Sequence, residues 1–183
     1  MPTKKLEYKI DIYQTNADNS VRFALGIDCK RPLIGIGLNP STADDKKPDQ
    51  TISRMMGFAQ RCGFDGFIML NLYPKRTPFP NKLPKRSNAE MADENRRLIK
   101  DFLKNYPNGS LLAAWGSNIE VRPYLKTELK RIVSDTQDSN HQWLQIGDLT
   151  KSGHPRHPSR AAYSMGLNEF DIEAYLEMLD VRC

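Results

Sequence analysis

Four short stretches concentrate the residue types that can do chemistry. They are Gly37-Leu38-Asn39-Pro40-Ser41-Thr42-Ala43, Asn71-Leu72-Tyr73-Pro74-Lys75-Arg76, Trp115-Gly116-Ser117, and residues 151–160 with His154, Arg156, His157, Ser159 and Arg160. Asn39 offers a carbonyl oxygen to orient a water and an amide to donate, while Pro40 fixes the chain as it turns. His154 and His157 can donate to a developing anion or exchange protons near neutral pH, and Ser159 can bind a phosphate oxygen. Lys75, Arg76, Arg156 and Arg160 complement phosphates, and Tyr73 is of a type that stacks on a base. Taken singly, each stretch has a plainer explanation, because Asn-Pro and Gly-Ser are ordinary turn dipeptides and surface cations aid solubility. Their common position relative to the predicted strands argues for one site.

The strands that must position them are apolar runs. Residues 33–38, bounded by Pro32 and Asn39-Pro40, read as a first buried strand, and residues 67–72 as a second. Residues 111–115 and 143–146 follow as third and fourth. Asp49 is placed to cap a helix carrying Ile52, Met55, Met56 and Ala59 at helical spacing, with Gly63 closing it. Ser87 with Glu90, and Ser117 with Glu120, have the capping-box spacing, predicting helices that run to about Lys104 and Ile132, and a last helix spans residues 171–179. In residues 73–86 Pro74, Pro78, Pro80 and Pro84 exclude a helix and stiffen a long connection. Ahead of all this, residues 8–13 and 21–27 on either side of a turn at 16–19 predict an antiparallel hairpin flanking the sheet.

Buried strands alternating with amphipathic helices predict an α/β fold of three αβα layers around a central, mainly parallel four-stranded sheet, with residues 1–30 as a hairpin extension of a single domain, 1–183. Ligands of such sheets bind beyond the carboxyl ends of the strands, where the four stretches lie.

Composition bounds the partners. Lys and Arg total 27 against 22 Asp and Glu, a net charge of +5 that suits a nucleic acid or nucleotide. Cys29, Cys62 and Cys183 form no CxxC pair, so neither a disulfide framework nor a zinc or iron–sulfur site is expected, and a reducing cytoplasm fits. With no signal-peptide pattern and no apolar run of membrane length, a soluble protein away from membranes is expected.

On two levels the motifs resemble known families. Leu38-Asn39-Pro40-Ser41-Thr42-Ala43-Asp44, Asn71-Leu72, Ala114-Trp115-Gly116, and Thr150-Lys151 leading to Pro155-Arg156-His157-Pro158 resemble, over roughly residues 22–163, the bacterial and phage domain of unknown function sixteen-forty-three. More distantly, Gly37-Leu38-Asn39-Pro40 and His157-Pro158-Ser159 resemble the two motifs of the uracil-DNA glycosylase superfamily that follow its first and last core strands, and Asn71-Leu72-Tyr73-Pro74 resembles its stretch after the second. That second resemblance implies a uracil-DNA glycosylase-like fold and hydrolysis of an N-glycosidic bond without metal or cofactor. By the same carry-over, Asn39 positions the hydrolytic water, Asn71 reads a base edge and His157 stabilises the leaving base or contacts a phosphate. Pro40, Ser41, Tyr73, Arg76, Ser117, His154, Arg156, Ser159 and Arg160 complete the expected substrate-binding set. The sequence departs from the pattern at Arg160-Ala161-Ala162-Tyr163, where members acting on duplex DNA carry an apolar wedge, which favours single strands, or a free nucleoside or nucleotide. The four cysteines of the cluster-bearing branch are absent.

The alternative from another class is a catalytically inert module that binds nucleic acid or a nucleotide in the same pocket. A third reading, metal-assisted phosphoester hydrolysis through Asp44, Asp45 and Asp49, ranks lowest, since Asp49 is better explained as a cap and no HxH or HxD spacing accompanies them.

Overall fold

A computed structural model describes residues 6–182; residues 1–5 of the expected hairpin extension, and Cys183, lie outside the described residues. One mixed sheet of seven strands organises the described residues, in the order β1-β2-β4-β3-β5-β6-β7. The strands are β1 (Ile12–Thr15), β2 (Arg22–Gly26), β3 (Pro32–Gly37), β4 (Gly66–Asn71), β5 (Ser110–Ala113), β6 (Trp143–Ile146) and β7 (Leu167–Glu169). Among the described residues four α-helices, α1 (Gln50–Arg61), α2 (Ala89–Asn105), α3 (Pro123–Thr136) and α4 (Ile172–Val181), connect and cover them.

Alternation along the strands sorts the side chains to two faces. Leu33, Phe67, Met69, Leu112 and Ala114 join Ile52, Met55, Phe58 and Ala59 of α1 in one apolar cluster. Ile34, Ile36, Ile68, Leu70, Leu111 and Ala113 point the other way, onto Ile99 and Leu103 of α2, Leu125, Leu129 and Ile132 of α3, and Tyr175 and Leu179 of α4. Burial on both faces is why these strands read as continuous apolar runs.

The four-stranded sheet expected from the sequence is therefore corrected to seven strands. β3 pairs in parallel with β4 and β5, and β5 with β6, but the hairpin is part of the sheet: β2 pairs antiparallel with β4, opposing Leu25 to Met69. At the far edge β7 pairs antiparallel with β6 through Leu144 and Glu169, and its three residues are too short and polar to carry an apolar period. The first hairpin strand also begins later than expected, at Ile12.

Two helix starts differ from expectation. Asn88, not Ser87, caps α2 by accepting the amide hydrogen of Met91, which shifts Glu90 out of the position a capping box requires. Residues Ser117–Val121 form a 3-10 turn instead of opening a helix, and α3 starts at Pro123, whose ring pre-sets the first helical dihedral. That helix continues past Ile132 to Thr136. Asp49 does cap α1, its Oδ1 accepting from Ile52 N at 2.9 Å. Cys29 and Cys62 are free thiols, and no described helix is long and apolar enough to cross a membrane.

Candidate functional site

Strand order creates the crevice. From β3 the chain moves to β4 on one side, then returns past β3 to β5 on the other, so the segments leaving β3 and β5 diverge and leave a gap above the sheet. Backbone hydrogen bonds lash these segments together: Leu72 N donates to Gly37 O at 2.8 Å, Tyr73 N to Leu38 O at 3.1 Å, Thr77 N to Pro40 O at 2.9 Å and Ala114 N to Ile36 O at 2.9 Å. A cavity of about 650 Å³ opens there, within the size range of small-molecule sites. Asn39, Ser41, Asn71, Ser117, Arg156, His157, Ser159 and Arg160 of the expected residues all line it.

Asn39 is held by its amide nitrogen. Nδ2 lies 3.0 Å from Pro40 O, 3.3 Å from Lys75 O and 2.9 Å from Thr77 O. Only a donor can sit among three carbonyl oxygens, so the orientation of the amide follows from its surroundings, and Oδ1 is the polar atom left to accept from a ligand or water.

His157 is fixed in a complementary way. Ser159 N donates to His157 Nδ1 at 3.3 Å, and the Ser159 hydroxyl lies 2.7 Å from the same nitrogen. With Nδ1 accepting, the neutral ring carries its proton on Nε2, a donor for a developing anion. Burial lowers the His157 pKa, with Asp49 opposing the shift and Arg160 adding to it, which favours the neutral ring. Its backbone approaches closely because residue 116 is glycine. Gly116 has φ +67°, and a Cβ there would stand 3.1 Å from His157 Cβ.

Asn71 ends β4 with only 1% of its surface exposed, and its Nδ2 has no partner. Asn95 Nδ2 holds its backbone by donating to Asn71 O at 2.8 Å. Gly37 makes room for the side chain, since a Cβ at that position would lie 2.7 Å from Asn71 Oδ1. Ser159 ties the last loop to α1, its carbonyl accepting from Gln50 Nε2 at 2.9 Å, and Arg156 Nε donates to Asp148 O at 3.0 Å.

Four expected residues stand outside the cavity lining. Tyr73 is a core residue, 1% exposed, whose hydroxyl accepts from Asn88 N at 3.0 Å, so it is not available to stack on a base. Arg76 is occupied within the fold, donating to Ser41 O, Ala43 O, Tyr13 Oη and Asn19 Oδ1. Pro40 is buried and supplies its carbonyl to Asn39.

The fourth, His154, lies behind the cavity wall. Trp115 Nε1 donates to Tyr175 Oη at 3.0 Å, Tyr175 Oη is 2.7 Å from His154 Nδ1, and His154 Nε2 is 3.3 Å from Glu120 Oε1. Indole is a donor only and the carboxylate an acceptor only, which orients the chain from Trp115 through Tyr175 and His154 to Glu120. His154 thus steadies Trp115, which lines the cavity, and burial lowers its pKa against the pull of Glu120.

Sequence reading missed Arg22 and the first turn of α1. Arg22 is 2% exposed yet lines the cavity, as do Gln50, Thr51 and Ile52. A signal existed for Arg22, a lone cation between Val21 and the apolar Phe23, Ala24 and Leu25, all of them buried. Asp49 is the one acidic residue in a lining that also contains Arg22, Arg156 and Arg160. The remaining acids of the loop after β3 do not gather: Asp44 Oδ1 accepts from Lys46 N and Lys47 N, and no group of three metal-binding side chains occurs among the described residues.

A family model described as a protein of unknown function (DUF1643) matches residues 22–159, and the chain belongs to that family. No curated protein and no solved structure matches the chain.

Proposed function

We propose that this member of the family hydrolyses an N-glycosidic bond, releasing a base from a nucleotide or from DNA. The observation that carries the reading is the pairing of two oppositely prepared groups in one cavity. Asn39 has its donor end consumed by three carbonyls and keeps an acceptor, while His157 has its Nδ1 consumed by Ser159 and keeps a donor.

Hydrolysis of a glycosidic bond needs both. A water must be oriented on the sugar carbon, and the departing base accumulates negative charge that a neutral N–H donor can stabilise. Asn39 Oδ1 accepts a hydrogen bond from the water and aims its lone pair; as the water oxygen bonds to the sugar carbon and the carbon–nitrogen bond breaks, the water's proton ends on the departing base. His157 Nε2–H donates to an oxygen or nitrogen of the leaving base. Asn71, with an unpartnered amide nitrogen at the end of β4, reads the base edge. The motifs bearing these three residues are those that resemble the uracil-DNA glycosylase superfamily.

Tyr163 supports a substrate other than intact duplex. It packs edge-on to Phe58 with ring centroids 5.0 Å apart and lies under the guanidiniums of Arg54 and Arg61, so Tyr163, the aromatic that follows His157-Pro158-Ser159, is committed to α1 and is not free to act as a wedge.

The test is chromatography of free base after incubation with free nucleotides and with single- and double-stranded oligonucleotides carrying normal, deaminated or oxidised bases. Base release from at least one of them is expected. Binding without release from any substrate would replace this reading with an inert nucleotide-binding module.

A further inference from the structure

Arg22 is a buried cation whose donors are mostly unused. Its side chain is 2% exposed, and of its five N–H donors the guanidinium uses Nη1 alone, donating to Ala43 O at 2.8 Å. Nε is buried without a partner, and no carboxylate of the described residues pairs with it. The nearest help is negative in effect, because Arg76 donates to the same Ala43 carbonyl at 3.0 Å and brings a second guanidinium alongside. Burial first, and Arg76 second, bring the Arg22 pKa down to about 10, while Asp49 opposes them. At neutral pH the group is still a cation.

A buried cation without an anion is costly, and it persists where a ligand supplies the missing charge. Here the cation borders an open cavity. The first turn of the 12-residue helix α1 borders the same space through Gln50, Thr51 and Ile52, adding the partial positive charge of its unpaired amides. Asp49 accounts for part of that charge by accepting from Ile52 N, and it is outnumbered in the lining by Arg22, Arg156 and Arg160.

We infer that Arg22 binds the phosphate of a nucleotide seated in this cavity, so that the substrate class is a phosphate-bearing nucleotide and not a nucleoside or a free base. The inference rests on the base-releasing reading for what lies beyond the phosphate, but the phosphate contact itself is independent of turnover. A planar guanidinium suits the role because two of its N–H groups meet two phosphate oxygens in parallel. The phosphate belongs either to a free mononucleotide or to the end or backbone of a single strand, and the two are separable by experiment.

Affinities of wild type, Arg22→Gln and Arg22→Lys are measured for inorganic phosphate, deoxyuridine, deoxyuridine 5′-monophosphate and a short single-stranded oligonucleotide containing deoxyuridine, with base release followed in the same samples. The monophosphate is expected to bind about 10- to 100-fold more tightly than the nucleoside, the range of one charge-assisted contact. Arg22→Gln removes that difference while leaving the nucleoside unchanged, and Arg22→Lys, which keeps the charge but not the fork, retains part of it. Tighter binding of the oligonucleotide than of the monophosphate assigns the phosphate to a strand; the reverse assigns it to a free nucleotide. Equal affinity for nucleoside and monophosphate, equal weakening of both by Arg22→Gln, or binding of none of the four probes overturns the inference. Should Arg22→Gln fail to fold, the same comparison is read from Arg22→Lys. Phosphate-dependent binding without base release keeps this inference and removes the glycosidase, whereas base release without a phosphate preference does the opposite.

Discussion

Asn39 Nδ2 donates to Thr77 O at 2.9 Å, joining the turn that leaves β3 to the proline-rich loop that leaves β4. Through this bond the cavity wall and the orientation of the Asn39 amide are set together. An aspartate at position 39 would place a carboxylate oxygen against the carbonyls of Pro40, Lys75 and Thr77. Asn39→Asp is therefore expected to lose about 1–3 kcal/mol of stability, by denaturant titration, and to lower base release although aspartate is a strong acceptor. Unchanged stability with raised turnover would show that the three carbonyls do not hold the side chain.

Gly37→Ala tests the placement of Asn71. The added Cβ would lie 2.5 Å from Met69 Cε and 2.7 Å from Asn71 Oδ1, so the Asn71 side chain must shift. Weaker ligand binding by about tenfold or more, the scale of one misplaced hydrogen bond, is the expected outcome in calorimetry. Wild-type affinity would mean that Asn71 does not touch the ligand.

Tyr73→Phe separates a structural role from a binding one. Removing the hydroxyl leaves Asn88 N, at the start of α2, without its acceptor, at a cost of about 1 kcal/mol. Thermal unfolding should register that loss while ligand affinity stays as in wild type. A specific loss of affinity would return Tyr73 to the binding set.

Both His154 and His157 have pKa values lowered by burial below the ordinary 6.5. In the window between the lowered values and 6.5 the unfolded chain binds more protons than the folded one, so stability rises with pH there. The stabilisation is complete above about pH 6.5 and is lost as pH falls, because protonating His157 Nδ1 sets a hydrogen against Ser159 N–H. Thermal midpoints measured from pH 5 to 8 should fall on the acid side, and less steeply in His157→Gln than in wild type. A profile identical in the two proteins would contradict the buried neutral ring.

The parallel core and most of the cavity lining were legible because both leave local marks. Leu33, Ile34 and Ile36 are buried on both faces of the sheet, which produces an unbroken apolar run, and Asn39-Pro40 and His157-Pro158 mark the turns beyond the strands. Other features depend on contacts that local pattern does not encode. β7 is three residues of an edge, with Asn168 and Glu169 exposed, and only its pairing with β6 makes it a strand. Ser87 and Asn88 are both competent caps, and tertiary contact decides between them, since Tyr73 receives the Asn88 amide hydrogen. His154 and His157 look alike in the chain, three residues apart, yet one closes a buried hydrogen-bond chain behind Trp115 and the other faces the cavity. Arg22 carries an ordinary surface type, and its burial beside Arg76 and Asp49 follows from the strand pairing that brings the hairpin onto β4.

The central claim is that Asn39 and His157 act on opposite ends of one breaking bond, and single-turnover base release tests it most directly. On whichever substrate wild type cleaves, Asn39→Ala and His157→Ala are each expected to slow release by about 10²- to 10³-fold, as loss of a positioned polar group does, with the fold intact by circular dichroism. Release at the wild-type rate from both variants, or no release by wild type from any nucleotide or oligonucleotide, would contradict the account.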